Sequence, residues 1–397
     1  MKYIIIGNGV AGTTAAINIR KIDHEGEITI LSDEAYPFYS RIRLMEYISG
    51  DVDESGLVIY KDAWYEKNNI KLLLNTPVSE IDKNKKDVIT HSGHILKYDT
   101  LLIAAGGLSF VPPIPGSDKK GVFTLRTLKD AIEIKKYAEQ SKRVVLIGGG
   151  VLGLEVGNSL RKTGHSIFVV EFFPRLLPRQ MDKEGAEILK TQMEKMGFAF
   201  FLDAKTREIT GDEKVKSIIL DDGTIIDCDM VIISAGVKPN AELADKVGIK
   251  GNKGIPVNDG LETEINAIYA AGDIAEHRGI CYGIWPAAEE QGKIAGVNMA
   301  GGSAIYTGTL PSNILKIAGI NLISAGDIDP DKKLESIVQK GSESFIYKKL
   351  VIKDNSITGC ILYGNIDNWK KIKKAMDEKK DISRIKTDLE KWDMEAL

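Results

Sequence analysis

Two stretches decide the reading: Ile4-Ile5-Ile6-Gly7-Asn8-Gly9-Val10-Ala11-Gly12 and Val144-Val145-Leu146-Ile147-Gly148-Gly149-Gly150-Val151-Leu152-Gly153. Each is a short β-branched run, then G-x-G-x-x-G, then a helical pattern at residues 13–20 or 154–162. A second apolar run follows in both, at 28–31 and 167–170, and meets acidic residues, Asp33/Glu34 and Glu171. Strand, turn, helix, strand is the order of a βαβ unit, and the chain contains it twice. A lone G-x-G-x-x-G says little, but this context gives each glycine a task. Gly7 and Gly148 allow the tight turn, Gly9 and Gly150 let backbone approach a pyrophosphate, and Gly12 and Gly153 let helix meet strand closely. Asp33 follows Gly12 by 21 residues and Glu171 follows Gly153 by 18. Both match the offset, about 20 residues, of a carboxylate that accepts from a ribose hydroxyl. The plainer reading, a structural glycine turn, fits one copy better than two.

Three further apolar runs end at glycine: residues 101–105 at Gly106, 231–235 at Gly236, and 268–271 at Gly272-Asp273. Apolar runs without alternation suit strands covered on both faces. The chain changes character at residues 107–121, which hold Pro112, Pro113, Pro115, Gly116 and Gly121, again at Val237-Lys238-Pro239-Asn240, and again near 307–311. The expected organisation is a discontinuous first domain at 1–110 and 240–308, a second domain inserted at 115–238, and a module at 310–397. Alternation at 345–347, 350–352 and 360–363 points to an antiparallel sheet in that module. After Asn365 comes a helical tail of balanced charge. The expected fold class is α/β: two Rossmann-like nucleotide-binding domains plus a small α+β C-terminal module.

Composition narrows the partners. The chain of 397 residues carries 53 Lys and Arg against 56 Asp and Glu, a net charge of −3. Without a basic excess, a nucleic-acid partner is not expected. No run of 18 apolar residues occurs, so neither a transmembrane helix nor a membrane partner is expected. The apolar start before Gly7 is too short for a signal peptide. Cys228, Cys281 and Cys360 are far apart, with no CxxC, zinc spacing or disulfide framework. His24, His91, His94, His165 and His277 make no metal pattern, so no metal site is expected. A cytoplasmic protein, monomeric or homodimeric, is the expectation.

Two dinucleotide turns call for two dinucleotides. On these motifs the chain resembles the two-dinucleotide-fold flavoproteins, the pyridine nucleotide:disulfide oxidoreductase superfamily. The resemblance implies FAD at the first fingerprint and NAD(P)H in the inserted domain. Thr263 and the run Ile268-Tyr269-Ala270-Ala271-Gly272-Asp273 resemble the second FAD motif, which implies that Asp273 accepts from the ribityl chain. Gly283-Ile284-Trp285-Pro286-Ala287-Ala288-Glu289 resembles the helix start that faces the flavin pyrimidine, and so places Trp285 by the cofactor. A helix N-terminus there favours the negative charge of reduced flavin. Ala104-Ala105-Gly106 and Ser234-Ala235-Gly236 resemble the family's strand ends beside the two cofactors. Glu171, with no cation before Arg175, favours NADH over NADPH, because a carboxylate repels a 2′-phosphate.

Branches of that superfamily carry cysteine on the helix after the second strand. This chain has Pro37-Phe38-Tyr39-Ser40-Arg41-Ile42-Arg43-Leu44-Met45-Glu46 there, so a thiolate relay is not expected. Tyr39-x-Arg41-x-Arg43-Leu44-x-Glu46 resembles the NADH:rubredoxin reductase branch, with Ile42 at a prolyl position, and implies a cofactor contact for Arg41. Leu315-Lys316-Ile317-Ala318-Gly319-Ile320 shares the resemblance. Glu155, two residues after Gly153, is implied to position the nicotinamide amide, with Arg43 balancing its charge. Favourable placement of an anion in a first helical turn is the alternative. The lysines around Trp369, Ile372 and Met376 form either a solvated helix face or a surface that steers an acidic carrier. The expected reaction is hydride transfer from NADH to FAD, then release of single electrons to a rubredoxin- or ferredoxin-type carrier. The alternatives are an NADH-oxidising subunit of a larger, nitrite-reductase-like complex, and a flavin or nucleotide sensor without turnover.

Overall fold

The computed structural model describes residues 1–310, 312–341 and 345–397; Pro311, within the third expected break, lies outside the described residues. The chain divides into two compact units. Met1–Arg43, Val52–Leu108 and Val237–Thr309 form the first, and Leu44–Asp51, Ser109–Gly236 and Leu310–Leu397 form the second.

Apolar β-branched runs that never alternate must be covered twice, and the first unit covers them twice. Its five parallel strands run in the order Ile268–Ala270, Thr100–Ile103, Lys2–Ile6, Glu27–Leu31, Ile70–Leu73. Tyr3, Ile5, Ile28 and Ile30 turn toward the helices Val10–Ile22 and Trp285–Met299. Ile4, Ile6, Leu101 and Ile103 turn the other way, toward Ile81 and Val88 of a three-stranded antiparallel sheet. The two helices approach through small residues. A Cβ on Gly292 would lie 2.4 Å from the Ala11 carbonyl oxygen, and one on Gly296 2.4 Å from that of Ala15. The matching four-residue steps make the helices run side by side in the same sense. With seven residues before Gly292 and one before Ala11, the later helix overhangs the start of the earlier by ~9 Å, at 1.5 Å per residue.

The second unit repeats the plan. Its parallel order is Phe198–Phe201, Ser166–Val170, Arg143–Ile147, Met230–Ile233, Val122–Phe123. A second antiparallel trio, Thr206–Thr210, Ser217–Leu220 and Ile225–Asp227, covers one face through Ile209, Ile218 and Ile226. Residues 310–397, expected as a separate module, lie within this unit as a five-stranded antiparallel sheet with helices Trp369–Asp377 and Lys386–Glu390. Ile372, Ala375, Met376 and Leu389 close one face of that sheet. Tyr347, Lys349 and Tyr363 on the other face reach Asp182 and Gln192, at the cap and in the body of helix Lys183–Lys195.

Residues 44–51, expected with the first domain, cluster with the second unit. Helix Leu44–Ser49 is held there by Lys135, whose ammonium donates to the Tyr47 carbonyl at 2.9 Å and sits 4.3 Å over its ring. Lys162 pairs with Asp51 at 3.4 Å.

Candidate functional site

In each fingerprint the three glycines meet different surroundings. Gly7 (φ +114°) and Gly148 (φ +117°) occupy the left-handed region that L side chains avoid. A Cβ on Gly12 would lie 2.0 Å from the Gly7 carbonyl oxygen, and one on Gly153 2.3 Å from that of Gly148. The third glycine therefore sets helix against strand. The middle ones are free of both demands. Gly9 and Gly150 have extended backbone, and a Cβ on either would meet no atom within 4 Å. Both helices begin there with no side-chain cap and no acid in the first turn. Uncapped N–H groups and a helix dipole, facing open space, suit an anion.

The strand ends differ between the copies. Ile147 pairs with Val170, so Glu171 comes next, at the carboxyl edge. Its buried carboxylate accepts from the Gly149 N–H at 2.5 Å and the Phe173 N–H at 2.8 Å, which ties the strand end to the glycine turn. In the first unit Ile6 pairs with Leu31, so the residue in the same register is Ser32, which is buried. Asp33 is exposed one position further on. Glu34 accepts from Tyr39 Oη and Arg41 Nη2, each at 2.5 Å.

The other expected residues gather at the same sheet edges. Gly106 (φ +66°) follows Ala105 and accepts from the Asn240 N–H at 2.9 Å. Gly236 (φ +117°) has no atom within 4 Å of where a Cβ would be. The Gly272 N–H donates to Gln291 Oε1 at 2.8 Å, and half-buried Asp273 follows it. Trp285 opens its helix, with Pro286 behind it, and its ring centroid lies 6.0 Å from that of Phe38.

The pyridine nucleotide-disulphide oxidoreductase family matches residues 1–304. The chain belongs to this family. The rubredoxin NAD+ reductase C-terminal domain matches residues 311–380. Nitrite reductase (NAD(P)H) of Bacillus subtilis is 38% identical over 384 residues, which cover 96% of this chain but 48% of that protein. This chain thus spans about half the length of that relative. NADH-rubredoxin oxidoreductase of Clostridium acetobutylicum is 35% identical over 387 residues, 97% of this chain and 96% of that one. The crystal structure of NADH:rubredoxin oxidoreductase from C. acetobutylicum superposes with a TM-score of 0.84, at 33% identity and 97% coverage of both chains.

Proteins of this family use FAD and NADH, and the residues present at the two fingerprints fit a dinucleotide each. In the first, Asn8 Oδ1 accepts from Tyr65 Oη at 3.0 Å, while its buried Nδ2 has no partner among the described residues. A buried amide donor without a protein acceptor, beside the open position at Gly9, suits a diphosphate oxygen. In the second, the open position at Gly150 and the carboxylate of Glu171 lie on either side of Gly149.

The family's name refers to a disulphide, and residues 37–46 of this chain contain no cysteine. Burial pushes the thiols of Cys228 and Cys360 up to about 12 and raises Cys281 as well, so all three are protonated at neutral pH. Among the described residues no group of three His, Cys, Asp or Glu could hold a metal ion. No helix among them is long and apolar enough to cross a membrane.

Glu155 is the fifth residue of its helix, past the first turn, so dipole placement explains it poorly. Burial raises its carboxyl pKa, and the Ala318 N–H, donating to Oε1 at 2.6 Å, opposes that rise. Arg43 belongs to the first unit, where Nη1 donates to the Gly56 carbonyl at 2.8 Å. The lysine face of helix Trp369–Asp377 is largely paired: Lys371 with Glu395, Lys373 with Asp377, and Lys374 with Glu378.

Several contacts lie outside the expected set. Asn8 and Tyr65 link the first fingerprint to the Phe38 N–H, which donates to Tyr65 Oη at 3.1 Å. Ser32 replaces Asp33 in register, and Gln291 braces Gly272. Asn8 fills a variable position of the fingerprint, where the spacing rule is silent. Ala318-Gly319 between two apolar runs was a legible hairpin turn, but its partner on another element was not.

Proposed function

We propose that this chain is an NADH-oxidising flavoprotein that delivers electrons to a small rubredoxin- or ferredoxin-type carrier. The observation that carries the reading is the pair of open, uncapped fingerprints together with the absence of cysteine between Glu27 and Leu57. Bound FAD supplies the redox chemistry, since it takes up a hydride equivalent and releases electrons singly. The chain's residues hold and bias the two cofactors. Gly9 and Gly150 admit pyrophosphates to the two helix starts. Asp273 accepts from the ribityl chain, and Glu171 accepts from the NADH ribose and repels a 2′-phosphate. The start of helix Trp285–Met299, overhanging the first fingerprint by ~9 Å, favours negative charge on the reduced ring. Glu155 orients the nicotinamide carboxamide, and Arg43 contributes a compensating cation. The rubredoxin NAD+ reductase C-terminal domain supports a rubredoxin-type acceptor.

The span of 48% of the Bacillus subtilis nitrite reductase favours a second reading, in which the chain feeds electrons to a partner assembly. Anaerobic titration of the FAD-loaded protein tests both. NADH is expected to bleach the yellow colour, and oxidised rubredoxin to restore it within the turnover time. A yellow protein that NADH leaves unchanged would overturn both readings. Reoxidation by dyes but by neither rubredoxin nor ferredoxin would move the conclusion to the second.

A further inference from the structure

The C-terminal sheet begins with a hairpin whose tip reaches the NADH half of the second unit. Strands Ser312–Ile317 and Ile320–Gly326 are joined by only Ala318 and Gly319, with Ile317 paired to Ile320. Both turn residues have positive φ, +50° and +88°, the mirror-image geometry of two-residue hairpins. Glycine takes that conformation freely, whereas alanine takes it under strain. In such a turn the N–H of the first residue points away from the strand ladder. Here it donates to Glu155 Oε1 at 2.6 Å, and Ala318 itself is only 7% exposed. Among the described residues Glu155 Oε2 has no hydrogen-bond partner. The carboxylate is thus gripped by one oxygen, on the helix that starts at the NADH fingerprint, two residues past Gly153.

We propose that the hairpin tip is a positioning element of the NADH site: Ala318 fixes Glu155 through Oε1 and leaves Oε2 for the amide nitrogen of the nicotinamide carboxamide. This rests on the reading of Glu155 given above. Ala318 is a positioning residue that acts only through Glu155. A carboxylate is a costly partner for one peptide N–H, since a hairpin tip can ordinarily give that N–H to water. The arrangement gains a purpose if the second oxygen serves a ligand. The same N–H, with the charges of Lys162 and Lys316, favours the ionised, accepting form of the carboxyl and opposes the effect of burial.

The test compares NAD+ with ADP-ribose, which lacks nicotinamide, in equilibrium binding to the FAD-loaded enzyme between pH 5 and 9. Glu155→Gln is expected to weaken NAD+ about tenfold and leave ADP-ribose unchanged. An amide-to-ester replacement at Ala318 removes only the N–H. It is expected to produce the same selective loss, and to raise the pH at which the NAD+ preference develops. Ala318→Gly keeps the N–H and is expected to keep the preference. If Glu155→Gln leaves the NAD+ to ADP-ribose ratio unchanged, the underlying reading of Glu155 fails. If Glu155→Gln lowers the ratio but the ester does not, the reading of Glu155 stands and the hairpin inference is overturned. The unaltered protein gives an independent check: exchange of the Ala318 amide hydrogen is expected to slow with NAD+ and not with ADP-ribose, and equal protection by both would count against the proposal.

Discussion

At the residue scale, the fingerprint glycines are distinguishable by what surrounds them, although the motif spells them alike. Gly9 is extended with open space where a side chain would point, while Gly12 faces a carbonyl oxygen at 2.0 Å. Gly9→Ala is therefore expected to fold like the parent but to lose FAD affinity, because a methyl group occupies the approach to the pyrophosphate. Gly12→Ala is expected to lower the melting temperature even without FAD, because helix and strand must separate. Calorimetry and flavin content measured on both variants check this, and equal FAD retention by Gly9→Ala would contradict it. Ser32 makes a related point. Counting about 20 residues from the third glycine reaches Asp33, and strand register puts Ser32, one residue earlier, in the position that Glu171 holds in the second unit.

At the scale of elements, the C-terminal sheet is joined to helix Lys183–Lys195 by charges of two kinds. Lys349 and Asp182 are each 1% exposed and 3.1 Å apart. The ammonium also donates to the carbonyls of Ile328 and Asp329, while Asp182 accepts from Tyr347 Oη at 2.6 Å and caps the helix through the Gly185 N–H. Every polar group there is matched, so removing one partner strands the other. Lys349→Met is expected to cost about 3–5 kcal/mol in denaturant unfolding, and adding Asp182→Asn to recover part of it. The second kind is partly exposed. Lys332 and Lys340 hold the Glu184 carboxyl down to about 2. An unfolded glutamate titrates near about 4.3, so this contribution is complete above that pH and fades as pH falls toward 2. With all three side chains partly in water, it is expected to stay under about 1 kcal/mol. Glu184→Gln should flatten the stability profile between those two values, lower stability at pH 7 by under about 1 kcal/mol, and make no difference near pH 2.

At the scale of the whole molecule, each unit holds one nucleotide fingerprint, and the chain passes between the units five times. A ligand stabilises the unit that binds it, by about 2.7 kcal/mol at a hundredfold excess over its dissociation constant. In scanning calorimetry FAD is therefore expected to shift the transition of the first unit, and ADP-ribose that of the second. A single transition displaced equally by either ligand would mean that the two units unfold together.

The sequence by itself determined the βαβ repeats, because apolar strands, glycine turns and helical spacing are local patterns that sterics and periodicity enforce within some thirty residues. It also determined the class of ligand, since a helix start opened by Gly9 or Gly150 needs no distant partner to favour an anion. Tertiary structure alone decided matters that depend on residues far apart in the chain. It placed helix Leu44–Ser49 with the second unit through Lys135 and Lys162, and it put Ser32 rather than Asp33 in register. It also gave Glu155 its partner 163 positions away, because a hydrogen bond depends on distance in space and leaves no period in the sequence.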